Sequence, residues 1–282
     1  MKHSEFDIRM KENYENRSKV FLTRRTPVIV RIDGKSFSHF CKRFEKPYDQ
    51  FLNNSLAQVL KHLCENIQGV KIGERHSDEL SLLLTDYETL QTDAYFDYNV
   101  QKISSVVASM ATAEFCRQLM INERHFDKAS PNFKELYNKK TYISVSEPWP
   151  CFDARCFNIP KEEVANYFWW RMLDAKRGSI NMVAQSKFSH KQLQNKSCDE
   201  KQEMLFQEHG INWAKLPQGE KVGFICLRKP VDKPIEKGPR AGEVIQRNVW
   251  KAEPSPANIT DLRALVSEFV WADVDPDVPS ED

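Results

Sequence analysis

The chain has 282 residues, of which 40% are hydrophobic and 29% charged, and its formal net charge is +1. This composition is typical of a soluble globular protein, and no stretch approaches the roughly 18 consecutive apolar residues that a membrane span needs. The first ten residues carry charges where a secretory signal peptide would be apolar, so we expect a cytoplasmic protein with no membrane partner.

A polar, helix-prone segment over residues 5–19 precedes the first predicted strand. Residues 27–33 (PVIVRID) are mostly β-branched and end in Asp-Gly, which predicts a buried strand stopped by a turn. Apolar residues recur at helical spacing over residues 48–65, and Asp49 is available to cap the helix that this pattern predicts.

Two short strands and a long helix are predicted next. Val70 and Ile72 alternate with polar residues, and residues 79–85 (ELSLLLT) form another apolar run, with a tight turn at His76-Ser77-Asp78 between them. Residues 93–120 predict a helix whose Ala and Ser content permits close packing on a sheet.

The remaining elements complete a β-α-β-β-α-β order. Residues 125–140 predict a loop, 151–160 a strand and 162–173 a helix. This order is the ferredoxin-like arrangement of the α+β class, an antiparallel sheet with helices on one face.

The C-terminal part predicts helical additions to this sheet. Further elements are predicted at 181–188 (helix), 197–209 (helix) and 222–228 (strand). We expect a domain over residues 1–175 with an N-terminal helix, and a region over 176–270 that packs on this domain or completes it. Residues 271–282, rich in Asp, Pro and Ser, predict an acidic, disordered tail.

Seven cysteines are present, an odd number with no Cys-x-x-Cys pair. This scatter favours reduced thiols over a disulfide framework or a zinc site. Cys151 and Cys156 are the closest pair in sequence, and their strand-like context favours packing over metal ligation.

Two carboxylates are predicted to meet at one end of the sheet. In this topology the third strand lies between the first and second strands and runs antiparallel to both, so Asp33 at the end of the first strand neighbours Asp78 at the start of the third. Two carboxylates from adjacent strand ends can hold Mg²⁺ together with waters and substrate phosphates.

The segment after the first strand is suited to a triphosphate. Gly34 lets a phosphate or metal approach the backbone, and its carbonyl is a further candidate ligand. Successive backbone N–H groups, together with Lys46 and Ser77, would bind the phosphates. The N–H groups belong to Lys35, Ser36, Phe37 and Ser38. Each feature alone has a simpler interpretation as a turn or a surface lysine, and only the combination is informative.

The charge distribution is compatible with RNA. Residues 272–282 carry five acids and no base, so the rest of the chain is more basic than the net charge suggests. Two basic groups are candidate phosphate contacts or simply solvated surface. They are Arg17, Lys19, Arg24 and Arg25, and then Lys221, Arg228, Lys229, Lys233, Lys237, Arg240 and Arg247.

Four motifs in order resemble the tRNA-histidine guanylyltransferase family, the 3′-to-5′ polymerases with a polymerase-like palm, over roughly residues 8–230. They are Arg31-Ile32-Asp33-Gly34-Lys35-Ser36-Phe37, Lys46-Pro47 with Asp49, Ser77-Asp78-Glu79, and Phe152-Asp153-Ala154-Arg155. The resemblance implies a ferredoxin-like polymerase palm, two Mg²⁺ ions, GTP and ATP as substrates, tRNA as partner, and a homotetramer.

The resemblance also implies roles for particular residues. The catalytic metal ligands fall on Asp33, the backbone of Gly34, and Asp78. The nucleotide site covers residues 33–38 with Lys46, Ser77 and Asp78, and Lys102 on the long helix matches a family lysine suited to a triphosphate. Arg24, Arg25, Arg155 and Lys196 are candidate RNA contacts.

The chain departs from the eukaryotic family pattern in one segment. A His-Ile-Asn-Asn-Leu-Tyr-Asn signature is replaced by Lys176-Arg177-Gly178-Ser179-Ile180-Asn181-Met182, while residues 188–197 look like the bacterial and phage guanylyltransferase-like proteins. His76 also stands where the family often has Gln, preceded by Glu74-Arg75 in place of less charged residues.

The sequence thus predicts a Mg²⁺-dependent nucleotidyltransferase that adds nucleotides to the 5′ end of tRNA, guanylyltransferase-like and directed by a template in the repair of truncated ends. Strict addition of G to histidine tRNA is the alternative. A palm-type nucleotide cyclase and a non-catalytic tRNA-binding module also stay open.

Overall fold

A computed structural model of the protein describes residues 4–89, 91–126, 149–238, 240 and 242–271. In these residues six strands form one antiparallel sheet of order β4-β1-β3-β2-β5-β6. The strands are β1 Val28–Lys35, β2 Val70–His76, β3 Glu79–Leu84, β4 Cys151–Asn158, β5 Phe224–Pro234 and β6 Val244–Pro254. The predicted ferredoxin-like order is confirmed for β1 to β4, and β5 and β6 extend the sheet beyond β2.

Helices cover both faces of this sheet. They are α1 Glu5–Met10, α2 Phe37–Phe40, α3 Gln50–Asn66, α4 Val100–Phe126, α5 Val164–Gln185, α6 His190–Leu193, α7 Cys198–His209, α8 Gln218–Val222 and α9 Ile259–Val266. Within the described ranges, no helix is long and apolar enough to cross a membrane.

The two crossover helices α3 and α4 pack on one face, as predicted. On α3 the buried Leu56, Leu60 and Leu63 follow helical spacing, and the Asp49 side chain caps the helix by accepting a hydrogen bond from the Leu52 N–H at 2.9 Å. On α4 a fully buried stripe repeats every four residues and meets the same face of the sheet. It consists of Ile103, Val107, Ala111 and Phe115.

The C-terminal additions cover the opposite face. Helices α5 and α9 bury a second core against Ile29, Ile72 and Leu83. This core separates the sheet from water on its second side, so the C-terminal region is part of the same packed body.

One continuous helix replaces two predicted ones. The sequence predicts helices at 162–173 and 181–188, but α5 runs from Val164 to Gln185 through the expected domain boundary at 175–176. The polar segment at residues 176–178 interrupts the apolar pattern, yet Ser179 and Ile180 directly after it are buried and keep the helix packed.

The last two strands are longer than the sequence predicts. The sequence predicts a strand at 222–228, whereas β5 runs from Phe224 to Pro234, and no sequence pattern predicts β6. Pairing with β2 covers only residues 224–226, so most of β5 pairs with β6 alone. Prolines and charges are tolerated in such outer strands, which hides them from a search for apolar runs.

The seven cysteines are all free in the structure. Cys156 packs against the hydrophobic core between the sheet and helices α3 and α4, as its strand context predicts. The predicted loop beyond residue 126 and the acidic tail at 272–282 lie outside the described residues.

Candidate active site

The strand register brings Asp33 and Asp78 to the same end of the sheet. Ile32 of β1 pairs with Leu80 of β3 in an antiparallel ladder, so Asp33 lies across from Glu79, directly beside the turn that holds Asp78. Burial raises the pKa of Asp78, and the nearby charge of Asp33 raises it further. Burial also raises the pKa of Asp33, with a contribution from Glu79. The two carboxylates therefore repel each other and favour a bound cation.

The turn between β2 and β3 has a special backbone conformation at Ser77, whose φ is +50°. The Ser77 hydroxyl donates a hydrogen bond to Asp78 Oδ1 at 3.0 Å. This contact helps to orient the Asp78 carboxylate at the mouth of the cleft.

Gly34 is required by a close approach of a side chain. A Cβ atom at this position would lie 2.3 Å from Cδ2 of Phe37. The Phe37 ring is buried against Phe115 and Phe152, with ring centroids 5.4 and 4.9 Å away. Only the backbone of Phe37 can therefore face a ligand, and the first N–H groups of α2 have no partner within the helix.

A cleft of about 940 Å³ opens at this end of the sheet. Its volume lies in the range of small-molecule sites. The structure brings seven of the predicted nucleotide-site residues into its wall: Gly34, Ser36, Phe37, Ser38, Lys46, Ser77 and Asp78. Asp33 and Lys35 flank Gly34 on β1, and Lys35 is exposed. The far wall is formed by the second half of α5 and by residues 219–224.

A buried ion-pair network behind the acids was not predicted from the sequence. Glu79 accepts hydrogen bonds from Arg171 at 2.5 and 2.9 Å and from Arg31 at 2.6 Å. Although burial alone would raise the pKa of Glu79, His76 and the two arginines lower it to about 2. The sequence signal was Arg31 itself, a charge inside the apolar run at residues 28–32.

His76 faces this network and also lines the cleft. Its Nε2 lies 3.5 Å from Glu79 Oε1, an ion-pair distance. Burial lowers the pKa of His76, but the interaction with Glu79 and the charge of Glu74 outweigh burial and raise it. The imidazole of His76 therefore lies between Glu79 and the cleft, beside the turn that holds Asp78.

A chain of hydrogen bonds ties the Lys46 segment to the far wall, and no sequence pattern predicts it. The hydroxyls of Tyr48 and Ser179 are 2.7 Å apart, and Tyr48 donates to the Glu220 carbonyl at 3.1 Å. The Trp213 indole N–H donates to Ser179 Oγ at 3.0 Å. These contacts fix the width of the cleft near Lys46.

Lys102 does not line this cleft. Helix α4 meets β4 at Thr112, at the end of the sheet that carries the cleft, where the Thr112 hydroxyl accepts a hydrogen bond from the Phe152 N–H at 3.0 Å. Lys102 lies ten residues earlier, about 15 Å along the helix toward the other end of the sheet. Its ammonium lies 5.8 Å from the centroid of the Phe96 ring.

The four candidate RNA contacts have different surroundings. Arg24 pairs with the buried Asp86 at 2.7 Å and with Asp97 at 2.9 Å, so its charge is engaged in ion pairs within the folded chain. The Arg25 backbone N–H also binds Asp86, whereas its side chain is exposed. Two of the four pair with exposed acids: Arg155 with Asp153 at 2.9 Å and Lys196 with Glu200 at 3.0 Å. Of the four, only Arg155 lies near enough to Asp33 to affect its pKa.

The donor atoms at the two acids fit a hard cation. In the part of the chain that the structure describes, no group of three or more His, Cys, Asp or Glu residues could hold a metal ion. Mg²⁺ does not need such a group, because it binds through one or two carboxylates with waters and phosphates. Asp33, Asp78 and the Gly34 carbonyl supply oxygen donors of this kind.

Comparisons with known proteins point to one family. The family profile described as Thg1, tRNAHis guanylyltransferase, matches residues 8–160. The tRNA(His) guanylyltransferase of Saccharomyces cerevisiae is 28% identical over 218 residues, 72% of this chain and 82% of the relative.

Two solved bacterial structures match almost the whole chain. A tRNA(His) guanylyltransferase (Thg1)-like protein in complex with ATP is 37% identical, covers 95% of this chain and 99% of its own, and has a TM-score of 0.75. Another such structure, in complex with GTP, is 34% identical, covers 95% and 100%, and has a TM-score of 0.68.

Proposed function

Because this chain belongs to the tRNAHis guanylyltransferase family of nucleotidyltransferases, we propose that it adds nucleotides in the 3′-to-5′ direction to the 5′ end of tRNA, as a template-directed repair enzyme. The observation that carries this proposal is the pair of repelling carboxylates, Asp33 and Asp78, at the edge of a cleft of nucleotide size. The bacterial relatives solved with ATP and GTP support both nucleotides as substrates.

The residues of the cleft have distinct roles in this proposal. Backbone N–H groups at residues 35–38, with Lys46 and Ser77, bind the triphosphate of the incoming nucleotide. Asp33, Asp78 and the Gly34 carbonyl would hold Mg²⁺, which would supply positive charge at the phosphates and lower the pKa of the attacking hydroxyl. Lys102 is outside this set, because it lies toward the other end of the sheet.

The reaction is a substitution at phosphorus. The 3′-hydroxyl oxygen of the nucleotide forms a bond to the activated 5′ phosphorus of the RNA, and its proton passes to solvent. The bond to the leaving group breaks, which releases pyrophosphate from a 5′-triphosphate or AMP from an adenylylated end. Positioning and fixed charges supply most of the acceleration.

The proposal predicts that Asp33→Asn and Asp78→Asn each abolish nucleotide addition, by more than about a hundredfold, because each change removes a charge that holds the metal. The measurement uses tRNA, ATP and each labelled nucleoside triphosphate, with sizing of the products. Asp232→Asn, an exposed acid of β5, is the matched control. Retained addition in both site variants would reject the assignment.

The same assay with full-length and 5′-truncated tRNAs separates the alternatives. We expect addition to truncated ends in the order set by the template. If a single G is added only to full-length histidine tRNA, the enzyme is a strict guanylyltransferase and not a repair enzyme. A product made without RNA would identify a cyclase, and tRNA binding without pyrophosphate release would identify a binding module.

The proposed enzyme works in the cytoplasm as a homotetramer, which the family resemblance supports. Light scattering of the purified chain tests the assembly, and a monomer at all concentrations would contradict it.

A further inference from the structure

Arg75 is a buried arginine in the wall of the cleft. It lies on β2 between Glu74 and His76, and only 3% of its surface is exposed. Its guanidinium carbon lies 5.1 Å from the centroid of the Phe224 ring, and Nη1 donates to the Ser77 carbonyl at 3.1 Å. Asn53 Oδ1 is 3.5 Å from the same nitrogen, at the long limit of a hydrogen bond. These contacts hold the guanidinium beside the turn that carries Asp78.

No acidic side chain of the described residues lies within ion-pair distance of the Arg75 guanidinium. Within the described ranges its guanidinium forms no ion pair, and its Nε is buried without a hydrogen-bond acceptor. Burial lowers the pKa of Arg75 to about 10, against the opposing effect of Glu74, so the side chain is still a cation at neutral pH. Arg31 and Arg171 differ in this respect, because both pair with Glu79.

An unpaired buried cation lowers stability, because it loses hydration without gaining a counter-charge. A counter-charge from outside the folded chain would remove this cost. Stacking on Phe224 and the bond to Ser77 fix its orientation but leave the charge uncompensated. An anion that enters the cleft would supply the missing partner.

We propose that Arg75 binds a phosphate group in the cleft. This inference rests on the proposed function, in which two phosphorylated groups share the cleft: the triphosphate of the nucleotide and the 5′ end of the RNA. Lys46 and the backbone at residues 35–38 serve one of them, and Arg75 adds a donor on the β2 wall. A guanidinium suits this task because its planar fork can donate two parallel hydrogen bonds to one phosphate.

The test compares ligands with and without phosphate on the Arg75→Met variant. Competition against a fluorescent GTP analogue in the presence of Mg²⁺ gives affinities for inorganic triphosphate and for guanosine. We expect about a tenfold loss of triphosphate affinity and less than a twofold change for guanosine. Arg75→Lys should recover part of the loss, because it restores the charge without the fork. Lys71→Met, on the same strand and outside the cleft, is the matched control.

A second arm identifies which phosphate is bound. Binding of a 5′-phosphorylated and a 5′-hydroxyl RNA to each variant shows whether Arg75→Met removes the preference for the phosphorylated end. A loss of affinity in either experiment supports the inference and identifies which phosphate Arg75 binds. Unchanged affinities in both arms would overturn it. An equal loss for guanosine and triphosphate would also overturn it, because that result marks a distorted cleft and a structural role.

Effects on folding and on catalysis are measured in separate experiments. We expect the melting temperature of Arg75→Met without ligand to equal or exceed that of the wild type, since an unpaired charge has been removed. Neither binding arm requires nucleotide transfer. A chain that binds triphosphate through Arg75 but transfers nothing to tRNA would therefore contradict the proposed function and leave the Arg75 assignment standing.

Discussion

Glu74 has an unusual environment for a carboxyl group. It is fully buried, and neither of its oxygens has a hydrogen-bond partner among the described residues. Burial raises its pKa to about 7, although the charges of His76, Arg171 and Arg75 act in the opposite direction. Its carboxyl group therefore changes charge near neutral pH, far above the usual range.

We predict that Glu74→Gln makes the free energy of unfolding less dependent on pH between pH 5 and pH 8. The pKa of Glu74 is higher in the folded than in the unfolded chain, so the proton stabilises the fold below about pH 4.5, and this contribution is lost as pH rises through about 7. The variant should gain up to about 3 kcal/mol over the wild type between pH 5 and pH 8. Urea unfolding at both pH values measures the gain, and an equal difference at both would contradict the prediction.

We predict that the buried Arg171–Glu79 ion pair stabilises the fold. Arg171→Met leaves Glu79 with Arg31 as its only arginine partner in the described network, and we expect a loss of about 3 kcal/mol in the free energy of unfolding at pH 7. Arg177→Met is the matched control, because Arg177 binds the same Asp174 from an exposed position on α5. Urea unfolding distinguishes them. Equal losses in the two variants would show that the buried pair is no stronger than a surface one.

The sequence predicts some of these residues and not others for a physical reason. Asp33 lies near the end of the apolar strand β1, and Asp78 lies in the turn directly before the apolar strand β3. The pairing of these strands follows from local pattern and topology, so the meeting of the two acids could be inferred. The Arg75 side chain is positioned by contact with Phe224, and the Tyr48 side chain by contact with Ser179. Both contacts form only when distant elements pack. No local pattern encodes such pairs.

At the scale of elements, the junction between β1 and α2 depends on Gly34, near the end of β1. We predict that Gly34→Ala destabilises the protein by about 2 kcal/mol, because the new Cβ meets a Phe37 ring that Phe115 and Phe152 hold in place. Nucleotide addition should fall as well, since the loop that carries the phosphate-binding N–H groups must shift. Thermal unfolding and product sizing measure the two effects.

Gly178→Ala is the control for this prediction. Gly178 lies in α5, and a Cβ added there would meet no atom within 4 Å, so alanine should stabilise that helix by about 0.5–1 kcal/mol. A destabilisation equal to that of Gly34→Ala would mean that the contact with Phe37 is not the cause.

The elements that the sequence predicts well have a clear apolar pattern. Strands β1 and β3 are buried apolar runs, and helices α3 and α4 carry apolar residues at helical spacing. The length of α5 and the presence of β6 could not be read in the same way. In α5 a polar segment lies between two buried halves, and in β6 most side chains are exposed. Tertiary packing in the first case, and pairing with β5 in the second, decide the conformation.

At the scale of the molecule, the sheet needs cover on both faces. We predict that a fragment of residues 1–175 does not fold cooperatively, because it lacks Ile225, Leu227 and helix α9, which pack on Ile29, Ile72 and Leu83. Circular dichroism during urea unfolding, with the full chain as control, tests this. A sharp, native-like transition of the fragment would instead support an independent domain that ends at residue 175.

Helix α5 is both a cover of the sheet and a wall of the cleft. Its first half buries Phe168 and Met172, and its second half presents Ser179 and Met182 to the cleft. A helix moves as one rod, so this wall cannot swing outward without separating hydrophobic contacts at its other end. The opposite rim, the segment around Lys46, is joined to this wall through the Tyr48 hydroxyl. Widening the cleft at that rim would break hydrogen bonds alone, whereas widening it at α5 would also expose a hydrophobic core.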